Sequence, residues 1–291
     1  MLFIIIIFIS LIFNYNNTMN SIYDSLEVWL FNVYPSLFLL YIISYYFIHN
    51  KLFNKISLIL KPFISFEYNK SYAIMCTGFF LGNPGTITLA YNAFSNNHIS
   101  LNDYKKLVYL SIFMNPLFIL SFFNKVIFVI FFISSFFTLF IFDKFMPLKK
   151  RNVDSENANY TYKVFLNSIN SIINVLLVVA CISVLCNVLK TSIAFLLYTV
   201  NLNFDLPLSF LEIGTGLKYL TNKNMLYASI FLISFQGLCI IIQSFSLIKN
   251  LNISFFKYLL LRILESITTT LIFFLIYSCF SSSTNELFNH F

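Results

Sequence analysis

Charge is scarce in this sequence. Only 10% of its 291 residues are Asp, Glu, Lys or Arg, 59% are hydrophobic, and the mean hydropathy is +0.82. A soluble domain carries roughly 25% charged residues, so this balance excludes an ordinary soluble globule and predicts an all-α polytopic membrane protein. At about 20 apolar residues per membrane helix, there is room for about seven spans plus shorter elements. The net charge of +7 would suggest nucleic acid in a soluble chain. Here Lys and Arg gather in short loops, as they do in loops facing the cytoplasm. Membrane lipid is therefore the expected partner, and nucleic acid is not. The five cysteines (Cys76, Cys181, Cys186, Cys239, Cys279) lie in apolar segments without C-x-x-C spacing and read as buried inert thiols. His49, His98 and His290 fall in polar loops and read as solvated. No Ser/His/Asp set, His/Cys cluster or phosphate-binding loop is present in the sequence, so no enzyme and no metal site are expected.

Glycine is scarce as well. Of six glycines, Gly78, Gly82 and Gly85 fall within residues 77–88, together with Pro84. The flanks are apolar enough for a bilayer, where freed backbone N–H and C=O groups survive only inside protein or beside a polar cavity. Residues 71–94 are therefore expected to form a re-entrant hairpin or a broken helix whose tip helps to build a substrate site.

The rest of the chain is organised around that stretch. Residues 2–13 are an apolar run with neither a basic n-region nor a small-residue cleavage site, which predicts a short or half-inserted first span. A loop without Lys or Arg follows over 14–27, then a span over 28–48 interrupted by Pro35. Residues 49–70 carry four lysines, with Leu52, Ile56, Ile59, Leu60 and Phe63 at helical spacing, as in an interfacial helix. After the hairpin come a polar loop (96–106), a span broken at Asn115-Pro116 (107–123), an unbroken span (126–142) and the most basic loop (143–163). The second half reads as a span (166–189), a loop holding Lys190, and a short apolar stretch with Pro207, Glu212, Gly214 and Gly216 (206–221). A span with Gln236-Gly237 at its centre (225–248) and a last span (258–280) complete it.

Loop charge sets the expected topology. If 71–94 and 206–221 each dip in and return to their own side, every Lys-rich loop lands in the cytoplasm. The order span, re-entrant segment, broken span, plain span then occurs twice with opposite orientation, the plan of inverted-topology repeats around a midplane substrate site. The divisions are residues 1–27 (short span and outer loop), 28–142 (first repeat), 143–165 (basic cytoplasmic loop), 166–280 (second, inverted repeat) and 281–291 (polar tail).

The candidate substrate-binding residues follow from the breakers and the buried polar groups. Gly82, Asn83, Pro84, Gly85, Thr86 and Thr88 form the first tip, and Glu212, Gly214 and Gly216 the second. Asn115, Gln236, Gly237 and Gln243 lie in the broken spans. Glu212 stands out because an ionised carboxylate in a membrane segment costs roughly 2.5–3.5 kcal/mol and needs a partner or a wet cavity. It can bind a coupling proton or sodium ion, or accept hydrogen bonds from a ligand; no other cofactor is expected. Half-helix N-termini, with free N–H groups, suit an anionic ligand. Arg262 and Glu265, three apart in the last span, read as a local ion pair with the arginine snorkelling to the interface.

Several of these marks resemble the sporulation integral membrane protein family with a nucleoside-recognition (Gate) domain, itself related to spore maturation proteins and remotely to concentrative nucleoside transporters. The marks are Tyr34-Pro35-Ser36-Leu37, Gly82-Asn83-Pro84, Asn115-Pro116-Leu117-Phe118-Ile119, Leu211-Glu212-Ile213 followed by Gly216, and Phe235-Gln236-Gly237 followed by Gln243. The likeness spans roughly residues 33–280. The chain departs from the family pattern where Asn83 replaces a tyrosine, Gly85 sits one place early, Thr88 holds the position of a basic residue and Gln236 replaces a glycine. The resemblance implies a Gate-like fold, a role in endospore formation, and transport of a small anionic or heterocyclic metabolite. Dipicolinic acid crossing the outer forespore membrane is the activity it implies first. A nucleoside permease or a non-transporting assembly protein of spore maturation are the alternatives, and a homo-oligomer is implied by the related transporters.

Overall fold

The computed structural model describes residues 5, 8, 12–146, 162–199, 205–248 and 251–283, and these are all-helical. Four of the described helices are long and apolar enough to cross a membrane: Lys125–Lys144, Leu176–Phe195, Leu226–Leu247 and Phe255–Phe280. Their outward faces carry large exposed apolar side chains, including Val129, Ile133, Phe137, Leu264, Leu271 and Leu275. Such a surface fits lipid contact and an integral membrane protein. Most of the apolar run 2–13 and most of the basic loop 143–163 lie outside the described residues, as do His290 and most of the polar tail.

Helix α1 (Tyr15–Val28) runs through a π-turn (Trp29–Val33) into α2 (Tyr34–His49). The sequence reading places a loop at 14–27, and the structure corrects it to a helix. Thr18, Ser21 and Ser25 recur every three to four residues and form a buried hydroxyl stripe. Against it packs α9 (Tyr162–Thr199), whose Asn187 Nδ2 donates to Ser21 O at 2.9 Å and Ser25 Oγ at 2.8 Å. Small residues of this kind let helices approach closely. Helix α3 (Lys51–Ser57) is capped by Asn50 and exposes Leu52 and Ile56, an apolar side with no protein cover.

The first hairpin consists of α4 (Asn69–Leu81) and α5 (Gly85–Ser95). Its base is fixed to one end of the bundle. Asp103 accepts hydrogen bonds from Glu67 N and Tyr68 N, both at 2.9 Å, and from Ser71 Oγ. Nearby, Lys106 pairs with Asp143 and donates to Ser65 O and Met146 O at 2.8 Å. Asp103 and Lys106 both belong to α6 (Leu101–Leu110), which begins earlier than the polar loop of the sequence reading allows because Ser100 caps it at Asp103 N. The chain is then non-helical from Ser111 to Asn115, resumes as α7 (Pro116–Leu120), and returns as α8 (Lys125–Lys144) under an Asn124 cap.

In the second half, α9 continues to Thr199, so Lys190 sits on a helix and not in a loop. The short α10 (Asp205–Leu208) and α11 (Ile213–Asn222) make the second hairpin. Helices α12 (Leu226–Phe235) and α13 (Gly237–Leu247) form one rod interrupted at Gln236, and α14 (Phe255–Ser283) closes the bundle against α8 and α12.

Candidate functional site

Four interruptions of helix meet in the interior. At the first hairpin's tip, Gly82 has φ +67°, and a Cβ there would lie 2.7 Å from Asn115 N. Only glycine lets this tip rest on the backbone of the α6–α7 break. Beside it, Asn83 Nδ2 donates to Ser111 O at 2.6 Å and to Gln236 Oε1 at 3.0 Å. Gln236 sits at the α12–α13 break in the left-handed region, φ 72°. Its Nε2 donates to Ile112 O at 3.1 Å and Phe113 O at 3.3 Å. One amide thus satisfies carbonyls that the α6–α7 break frees at depth, where unpaired backbone groups are costly.

The second hairpin docks differently. Leu238 N donates to Phe210 O at 3.0 Å and Cys239 N to Leu211 O at 2.9 Å, joining the start of α13 to the hairpin tip by main chain. Gly237, φ +67°, leaves room for Ile213. Glu212 is buried and caps α11, accepting from Gly214 N at 3.0 Å and Thr215 N at 2.6 Å. Lys190 Nζ donates to Thr215 Oγ1 at 2.8 Å.

Between the two tips lies a cavity of about 70 Å³, room for a few waters at roughly 30 Å³ each. Of the sequence candidates, Asn83, Pro84, Asn115, Glu212, Gly214 and Gln243 line it. The others are nearby without lining it. Gly85 packs on Leu81, Gly216 on Ser209 O, and Gln236 braces the break. Thr86 and Thr88 turn their hydroxyls back to Gly82 O at 2.9 Å and Pro84 O at 3.3 Å, so those protons are not free for a ligand. A wider cavity of about 580 Å³ opens near Phe123, Asn124, Thr221 and Met225, at the end of the bundle opposite Asp103.

Three of the interior half-helices do not present the expected anion cradle, while α5 starts after Pro84 with no side-chain cap. Glu212 fills the amides of α11, Phe210 and Leu211 carbonyls fill those of α13, and Asn115 Oδ1 takes Leu117 N at 2.9 Å on α7. These three starts are closed by internal acceptors because a bare N-terminus at depth has no water to satisfy it. The acceptors left over are side-chain oxygens. Asn83 Oδ1 and Gln243 Oε1 are buried with no donor, and both residues line the cavity.

The sequence reading also misplaces Arg262 at the interface. Its side chain is fully buried, paired with Glu265 Oε2 at 2.9 Å, and its Nη2 donates to Val108 O at 2.8 Å and Ser111 Oγ at 3.1 Å. The guanidinium also stands over the Tyr258 ring, 4.9 Å from its centroid. A cation is thereby placed at the C-terminal end of α6, where it complements the helix dipole. His49 and His98, read as solvated, are half-buried, and His49 Nδ1 lies 2.8 Å from Tyr45 O.

Compared with known proteins, the chain matches no family model, no curated protein and no solved structure.

Proposed function

We propose that this chain is a membrane permease for a small heterocyclic metabolite. In this reading about seven spans and two re-entrant hairpins form inverted-topology repeats, with the basic loops in the cytoplasm. The observation that carries it is the amide contact between Asn83 and Gln236, which joins the first tip to the break of the second half beside a mostly apolar cavity with a few polar groups on its wall. Four interruptions of helix meet in the interior, and each frees backbone groups that must be re-satisfied.

The chemistry of the cavity favours a neutral solute bearing N–H or O–H donors. Its spare polar atoms are acceptors, and Glu212 adds a carboxylate. A dianion such as dipicolinate, the substrate implied by the resemblance to the sporulation family, would meet that carboxylate, and the starts of α7, α11 and α13 are already filled. The small volume is the observation that favours the second reading, a non-transporting assembly protein of spore maturation.

Purified protein in proteoliposomes, given radiolabelled nucleosides and dipicolinate in parallel, tests the proposal. Uptake of the neutral heterocycle, lost in Gly82→Ala and Glu212→Gln at normal membrane abundance, is the expected result. Uptake of dipicolinate instead would restore the anionic substrate. No uptake of either from well-inserted wild-type protein would favour the assembly role.

A further inference from the structure

Two residues of the cavity wall each carry a buried oxygen that has no donor among the described residues. Asn83 turns its amide nitrogen to Ser111 O and Gln236 Oε1, and Gln243 turns its own to Val179 O at 3.3 Å and Cys239 Sγ at 2.9 Å. These partners fix both amide orientations and leave Asn83 Oδ1 and Gln243 Oε1 as bare acceptors, on side chains 4% and 2% exposed. A buried acceptor without a donor carries an uncompensated desolvation cost, so each calls for an occupant.

On the same wall, Glu212 adds a carboxylate to these two amide oxygens. The three come from three elements: the first hairpin's tip, the second hairpin's tip and α13. Among the described residues no cationic side chain lines the cavity, and Lys190 is engaged with Thr215 on α11. Hard cations take oxygen ligands, with carboxylates and amide carbonyls as the usual donors. Broken-helix sites use such oxygens for Na⁺.

We infer that this cavity binds a monovalent cation of the sodium class, held by Asn83 Oδ1, Gln243 Oε1 and the Glu212 carboxylate. One carboxylate, already shared with two amides, matches a single positive charge better than a double one. About 70 Å³ accommodates an ion with a water or two. Because its ligands come from both tips, the ion holds the two hairpins together. Its role as a coupling ion rests on the transport reading; its binding does not.

The chain carries its own reporter. Trp29 is the only tryptophan, it lines this cavity, and its Nε1 donates to Leu176 O at 3.1 Å. Full-length protein in detergent, without solute, is titrated with NaCl against choline chloride at constant ionic strength while tryptophan emission is followed. A saturable change with sodium and none with choline is expected, with affinity at least about tenfold weaker in Gln243→Met, a loss typical of a weakened metal site. Glu212→Gln, which removes the charge but keeps an acceptor, is the second variant and is expected to weaken binding likewise. Equal responses to sodium and choline, or undiminished sodium affinity in both variants, would overturn the inference. Sodium-independent solute uptake alongside saturable binding would remove only the coupling role, whereas binding without any uptake would remove the transport reading and leave the site.

Discussion

Asn83 and Gln236 stand 153 positions apart and meet side chain to side chain at 3.0 Å, both nearly inaccessible. Each amide also donates to the α6–α7 break: Asn83 to Ser111 O, Gln236 to Ile112 O and Phe113 O. The pair therefore acts as one unit. Asn83→Ala and Gln236→Ala are each expected to lower stability by about 1–3 kcal/mol, because both leave buried carbonyls without donors. The double variant is expected to cost less than the sum, with a coupling of about 0.5–3 kcal/mol. Denaturant unfolding of the four proteins in mixed micelles measures it, and strict additivity would contradict the shared role.

The buried pair in α14 makes an asymmetric prediction. Glu265→Ala leaves the Arg262 guanidinium enclosed without its counter-charge, a loss of about 3–5 kcal/mol for pairs of this kind. Replacing both residues with apolar ones, Arg262→Met with Glu265→Leu, removes the desolvated charges together and is expected to cost far less. Thermal midpoints of the purified variants decide between these outcomes. Equal losses would mean that the ion pair is not what the interior depends on.

Two glycines of the second hairpin are expected to differ sharply. A Cβ on Gly216 would fall 2.0 Å from Ser209 O, a main-chain atom that cannot rotate away, whereas on Gly214 it would meet the Glu212 oxygens at 3.4 Å. Gly216→Ala should therefore lose about 1–3 kcal/mol through overpacking. Gly214→Ala should remain close to wild type in melting temperature. Comparable melting of the two variants would refute the close pass of α11 over the preceding turn.

Acid titration reads a histidine at the base of the first hairpin. Burial, then the charges of Lys70 and His49, hold His98 down to about 4 from its ordinary 6.5. Between those values the unfolded chain binds a proton that the folded chain refuses, so stability rises with pH through that window and levels off above 6.5. His49 shifts the same way, so the slope in His98→Asn is expected to shrink without vanishing. Melting temperatures of both proteins from pH 4 to 6.5 provide the comparison, and parallel curves would rule the residue out.

The interruptions were legible in the sequence because glycine, proline and the amide pairs act locally. Gly82-Asn83-Pro84, Asn115-Pro116 and Gln236-Gly237 each break a helix where the sequence reading places a break. Partners from distant elements were not legible. The hydroxyl stripe of α1 reads as a polar loop until Asn187 arrives from α9. The Arg262–Glu265 spacing reveals a local pair, while Val108 and Ser111, which hold the arginine inside, lie 154 and 151 positions away. Glu212 was legible as a lone carboxylate in an apolar stretch, but its capping of α11 depends on a helix start that propensity alone does not place. Lys190 was missed because nothing in its neighbourhood ends α9 there; Thr215 draws it to the second hairpin.

The two tips are fastened by different hardware. The second is stitched to α13 through Phe210 and Leu211 carbonyls, main chain to main chain. The first is latched by the Asn83 side chain, with glycine-smooth contact at Gly82 in place of stitching. Undoing the latch takes a rotamer change and two hydrogen bonds, whereas undoing the stitches means pulling a helix start away from its neighbour. Of the two tips, one is therefore held by a single side chain and the other by the backbone itself.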